Sequence, residues 1–152
     1  MIVDRLGRKF TNLRVSLTAA CNYACTYCVP SGKRLMKAQN ELTSNRLIKA
    51  VKLLQLATGI EKVRITGGEP LVTPKFDDFL LSVTALGLKD ISLTTNGQLL
   101  LKKKEVIAKS GLKRMNISLD TLNPLRFKQI ARGGDLATVL KGIDAMLTLG
   151  IK

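Results

Sequence analysis

Three cysteines, Cys21, Cys25 and Cys28, stand within one short stretch, and the chain has no others. Thiolates spaced C-x3-C-x2-C can grip one compact inorganic centre from a single loop. Structural zinc wants four closed ligands, usually two pairs of cysteines from separate segments. Here there is no fourth cysteine and no histidine, and neither Asp nor Glu lies between the first cysteine and the last. An iron–sulfur cubane commonly takes four cysteines, so three would leave one iron open to a small chelating ligand. The plain alternative is three unrelated thiols packed as small hydrophobes. Polar Asn22 and Thr26 between the cysteines argue against it.

A second cluster is Gly67-Gly68-Glu69-Pro70. Two glycines let the backbone approach a ligand closely, and Glu69 could hold an ammonium or a hydroxyl. The alternative is an ordinary turn with a solvated carboxylate. It is not a dinucleotide fingerprint, because no third glycine opens the next helix. The complete lack of histidine removes the commonest near-neutral base. It excludes a Ser-His-Asp triad, a Cys-His dyad and mixed Cys/His zinc sites.

The elements that must position these groups follow a repeating order. Strands are expected over 13–18, 62–66, 90–95 and 113–119. A helix over about 44–58 carries Leu47, Val51 and Leu54 on one face, and another starts near Pro74 with Phe76, Phe79, Leu80, Val83 and Leu86. A lysine-rich helix over about 99–110 turns Val106 and Ile107 inward. An extra segment over 124–131 precedes a helix that Asp135 caps, bearing Leu136, Val139, Leu140, Ile143 and Leu147. Most units close on Gly plus Ile or Leu, such as Gly59-Ile60 and Gly111-Leu112, as a left-handed helix cap requires. This alternation predicts an α/β fold with parallel strands. A further strand would begin at Ile151, so the edge of the strand over 113–119 is expected to be open. In such sheets ligand groups gather at the C-terminal strand ends, where the cysteines, the Gly-Gly turn, Thr94 to Gly97, Ser118 and Asp120 all fall.

The 152 residues fit one domain, 1–152, and 45% hydrophobic content excludes wholesale disorder. Lys and Arg number 25 against 11 acidic residues, a formal charge of +14. That field draws anionic ligands such as nucleotide phosphates, or is simply a solubilising surface. Lys102, Lys103 and Lys104 are expected to face water. Aromatics are 4% with no tryptophan, so a base-stacking platform is poorly supported and nucleic acid is not the expected partner. No apolar run reaches the ~18–20 residues of a membrane span. With an odd cysteine count and no signal core at the start, this predicts a soluble, cytoplasmic protein.

CNYACTYC followed by TGGEP resembles the radical S-adenosylmethionine superfamily. LRVSLTAACNYACTYCVPSG, VRITGGEPLV, LTTNG and NISLDTLNP together are similar to the GTP 3′,8-cyclase family of molybdenum cofactor biosynthesis, from about Val3 to Lys152. The resemblance implies a partial (βα) barrel, truncated after about four βα units. It implies a [4Fe-4S] cluster on Cys21, Cys25 and Cys28, whose open iron chelates S-adenosylmethionine. Tyr27, Gly68 and Ser118 would contact that cofactor, and Arg14, Arg64 and Thr94 would contact GTP. The implied reaction is a lyase-type radical cyclisation: hydrogen abstraction at the ribose 3′ carbon, then attack on C8 of guanine. Implied partners are GTP, a flavodoxin- or ferredoxin-like electron donor and, as an open question, a second copy in a homodimer. The sequence departs from the family where Ala19 replaces an acidic residue and Ala24 a basic one. Family chains are about twice as long and carry a second cysteine cluster. The competing readings are another radical S-adenosylmethionine enzyme that modifies peptide or RNA, and a basic zinc module that binds nucleic acid.

Overall fold

The computed structural model describes residues 2–152. A two-stranded antiparallel hairpin, β1 (Ile2–Val3) and β2 (Lys9–Phe10), opens the chain. It was not legible in the sequence, because two-residue strands leave no periodicity. The Asp4 carboxylate holds its turn, accepting from the Leu6 and Arg8 amides.

Four parallel strands follow in spatial order: β3 (Asn12–Ser16), β4 (Lys62–Thr66), β5 (Asp90–Thr95) and β6 (Arg114–Ile117). Between them run α1 (Ser44–Thr58), a short 3-10 turn (Pro70–Val72), α2 (Lys75–Thr84) and α3 (Leu100–Ser110). α4 (Pro124–Ala131) and α5 (Leu136–Thr148) come last. The expected α/β order is therefore present, with ends shifted by a residue or two. Gly59 and Gly111 both take the left-handed cap conformation, and Asp135 caps α5 through the Thr138 amide.

Side chains alternate along each strand. Leu13, Val15 and Leu17, then Val63, Ile65, Leu93 and Met115, point to one face and pack with the helices. Phe76, Phe79, Leu80 and Val83 of α2 are fully buried there, as is Ile107 of α3. Leu140 and Leu147 of α5 are exposed instead, because Leu136, Val139 and Met146 form its inner stripe. The other face of the sheet carries Asn12, Arg14, Ser16, Lys62, Arg64, Thr66, Ser92, Thr94, Arg114 and Asn116, with no helix over it among the described residues.

Two further expectations change. Lys103 does not simply face water: its Nζ lies 2.7 Å from Asp77 and 5.9 Å from the centre of the Phe76 ring. The edge of β6 is not fully open, since Lys152 donates to Lys113 at 2.9 Å and accepts from Met115 at 2.8 Å. Replacing Phe79 by Ala empties the middle of the core and should lower unfolding free energy by about 3–5 kcal/mol in urea titration.

Candidate functional site

The cysteine loop lies at the C-terminal end of β3. Cys21 and Cys25 are half-buried and Cys28 is exposed, and all are free thiols. The three line one cavity of about 260 Å³ together with Ser16, Thr18, Gly67 and Gly68. Burial pushes the Cys21 and Cys25 thiols above the usual range, so each keeps its proton until a cation claims the sulfur. Among the described residues, no three Cys, Asp or Glu side chains gather around one metal ion. In a cubane each thiolate takes a different iron, and the three cysteines line one cavity.

The Gly-Gly turn closes against this loop. The Gly68 amide donates to Thr18 O at 2.7 Å, and the Glu69 amide donates to Ala20 O at 2.8 Å. A Cβ on Gly68 would stand 2.4 Å from both Ala19 O and Ala20 O, so only glycine permits this approach. Glu69 is neither a ligand hand nor a solvated carboxylate, the two alternatives its sequence context offered. It is 1% exposed. Its Oε1 accepts from the Leu71 amide at 3.0 Å and Thr95 Oγ1 at 2.7 Å, and its Oε2 accepts from the Asn96 amide at 2.7 Å. Burial pushes this carboxyl up, and those three donors work against the shift. Glu69 therefore pins the end of β4 to the end of β5.

A second carboxylate braces the loop from behind. Glu41 Oε1 accepts from Thr18 Oγ1 at 2.7 Å and the Ala19 amide at 2.9 Å, and Lys75 Nζ sits 2.8 Å from Oε2. Tyr23, buried inside the cysteine loop, donates to Gln98 Oε1 at 2.8 Å and meets Phe127 edge-on. Neither Glu41 nor Tyr23 announces itself in the sequence, for each acts on a partner far along the chain.

Deeper on the polar face, Arg14, Arg64, Ser92 and Arg114 are register neighbours in one row across all four strands. Lys62 and Asp90 face each other in the row below, and Asp90 is ion-paired with Arg114. These residues line a cavity of about 350 Å³. Arg14 and Arg64 therefore do come together. Thr94 faces the same side one row higher, level with Asn116. Ser118 follows β6, and its amide donates to Thr95 O at 2.9 Å. Tyr27 is exposed and donates to Asp120 at 3.2 Å. Tyr27, Thr94 and Ser118 line neither cavity. Lys62 and Arg114 were readable from their two-residue spacing along the strands, once the polar face was known.

Residues 15–152 match the profile of the Radical SAM superfamily. The chain belongs to the radical SAM superfamily. A GTP 3′,8-cyclase of Alkaliphilus oremlandii is 42% identical over 149 residues, covering 97% of this chain and 47% of that protein. GTP 3′,8-cyclase 1 of Pseudomonas aeruginosa is 40% identical over 151 residues, 99% of this chain and 46% of its own. The chain thus spans about half the length of the curated relatives it matches. Among solved structures, Streptococcus suis SuiB bound to S-adenosylmethionine superposes with a TM-score of 0.80 at 21% identity, over 95% of this chain and 33% of that one. The methyltransferase TsrM of Kitasatospora setae, a radical S-adenosylmethionine enzyme, gives 0.65 at 16% identity, over 91% and 29%. The cofactors of this radical SAM chain are a [4Fe-4S] cluster and S-adenosylmethionine, and the three-thiol cavity with its bare Gly-Gly wall fits them.

One consequence is measurable through pH. Burial alone would raise the Glu41 carboxyl, but Lys75 and the donors at Thr18, Ala19 and Ala38 outweigh it and hold it at about 2. A depressed acid stabilises the fold above its unfolded value of 4.5, and that contribution fades as pH falls towards 2. Thermal unfolding from pH 6 down to pH 2 should therefore show a steeper loss in the native chain than in Glu41→Gln.

Proposed function

We propose that this chain forms the cluster- and S-adenosylmethionine-binding part of a GTP 3′,8-cyclase, the lyase that cyclises GTP on the way to molybdenum cofactor. One observation carries the reading: a floor of guanidinium groups lies on the same strands as the three-cysteine cavity, four residues below it. Arg64 and Gly68 are four positions apart, with β4 ending at Thr66 between them, at most roughly 13 Å. That is a span for a ligand with an anionic tail and a reactive ring, as a nucleoside triphosphate has. The likeness to relatives named GTP 3′,8-cyclase supports the same substrate.

In this reading Cys21, Cys25 and Cys28 hold the cluster. Gly68 receives the methionine end of S-adenosylmethionine along its bare backbone, and Tyr27 and Ser118 flank the adenosyl end from the exposed rim. When bound, these cofactors supply the one-electron chemistry that opens a C–H bond, with the electron drawn from a flavodoxin- or ferredoxin-like donor. Arg14 and Arg64 fix the phosphates, for a guanidinium is a planar fork matched to phosphate oxygens. Thr94, one row higher, is a further GTP contact. The chain has no histidine, and Glu69 and Glu41 are each held by several hydrogen bonds, so neither stands free as a base. The protein's part is to orient the nucleotide and hold it still, where a misplacement of about 1 Å can already cost ~100-fold.

The test is GTP binding to the anaerobically reconstituted, brown chain. GTP should bind, and Arg64→Ala should weaken it by about 10- to 150-fold, the loss of one charge-assisted phosphate contact. The Cys25→Ala variant should lose iron yet keep GTP binding. Affinity that is unchanged in both Arg14→Ala and Arg64→Ala would refute the nucleotide assignment.

A further inference from the structure

The end of α4 is built for the cysteine loop. Arg132, just past Ala131, has φ +48°, the one non-glycine in the left-handed region among the described residues. Such a conformation is uncommon for a long side chain. Its guanidinium makes a contact that compensates. Nη1 donates to Val29 O at 3.3 Å and to Pro30 O at 3.2 Å, immediately beyond Cys28. The last carbonyls of a helix have no partner within it. Here the Thr26 amide donates to Ile130 O at 2.9 Å and the Ala24 amide to Ala131 O at 3.1 Å, on either side of Cys25. The loop therefore caps α4, while α4 and Arg132 grip the loop. The next residues fit as tightly, for a Cβ on Gly134 would lie 2.4 Å from the Tyr23 ring. Cys28 is the exposed thiol of the three, and the Arg132 contacts hold the chain that follows it.

We propose that Arg132 is a positioning residue for the metal-binding loop. Its guanidinium keeps Val29 and Pro30 in place, so that Cys28 stays within reach of the centre held by Cys21 and Cys25. It also sets a positive charge against the backbone one and two residues past Cys28. This rests on the reading of the three cysteines as cluster ligands. A nearby positive charge favours the reduced, more negative cluster, so removing it should make the midpoint potential more negative.

Three variants separate the effects. Arg132→Gly removes the guanidinium while relieving the left-handed backbone. Arg132→Asn also tolerates that backbone and is uncharged. Arg132→Lys keeps the charge with a shorter reach. Amide hydrogen exchange at Val29 and Gly32, whose amides donate to Cys25 O and Val29 O, should quicken by about ten-fold in the Gly and Asn variants, the loss of one charge-assisted hydrogen bond. Exchange along β4 should not change. After reconstitution, both should lose iron faster to a chelator and show a more negative potential, and Arg132→Lys should restore the potential. If one of the two uncharged variants does not fold, the other decides. A folded, uncharged variant with native exchange, native iron retention and native potential overturns the proposal. Failure of the native chain to take up iron would count against the cluster reading, while exchange at Val29 and Gly32 would still decide whether Arg132 grips the loop.

Discussion

Alternation of side chains along the four parallel strands determines where everything else can stand. Each strand sends apolar residues to one side, where α1, α2, α3 and α5 cover them. Burying Phe76, Phe79, Leu80, Val83 and Leu93 completely is worth roughly 1.5–3 kcal/mol for each side chain. A register slip of one residue would bring Arg14, Arg64 and Arg114 into that core. The hydrophobic face therefore fixes the polar face, and the polar face sets a row of guanidinium groups beneath the cysteine loop.

The strands alone would not hold the loops at their upper ends. Those loops are tied by buried or half-buried polar groups, each serving several partners. Glu69 links the Gly-Gly turn to the end of β5, and Glu41 with Lys75 supports Thr18 and Ala19. Asn96 donates to Asn22 at 2.8 Å, and Tyr23 reaches Gln98, which also accepts from the Asp135 amide. These are costly groups to leave unpaired in a low-dielectric setting. Their cost favours this arrangement, since a packing that broke these bonds would leave buried polar groups unpaired.

The limits of reading this sequence follow the same division. Period-2 and period-3.6 patterns exposed the sheet, α1, α2, α3 and α5, and the type and spacing of the cysteines exposed the centre they surround. Gly68 was readable because a pair of glycines after a strand implies close approach. Arg14 and Arg64 came only from the family resemblance, and only the register shows that they are neighbours. Hidden from the sequence were the groups whose role depends on a distant partner. Glu41 lies in a loop without periodicity, Arg132 adopts a backbone shape that its residue type disfavours, and Glu69 turns inward where a solvated carboxylate was an equal expectation.

The central claim is that the cysteine loop and the Gly-Gly turn are two walls of one cofactor site. Electron paramagnetic resonance of the reconstituted, one-electron-reduced chain, with and without S-adenosylmethionine, tests it most directly. Direct coordination at an open iron should change the spectrum of the cluster. A reduced cluster with the same spectrum in the presence and absence of S-adenosylmethionine would contradict the claim.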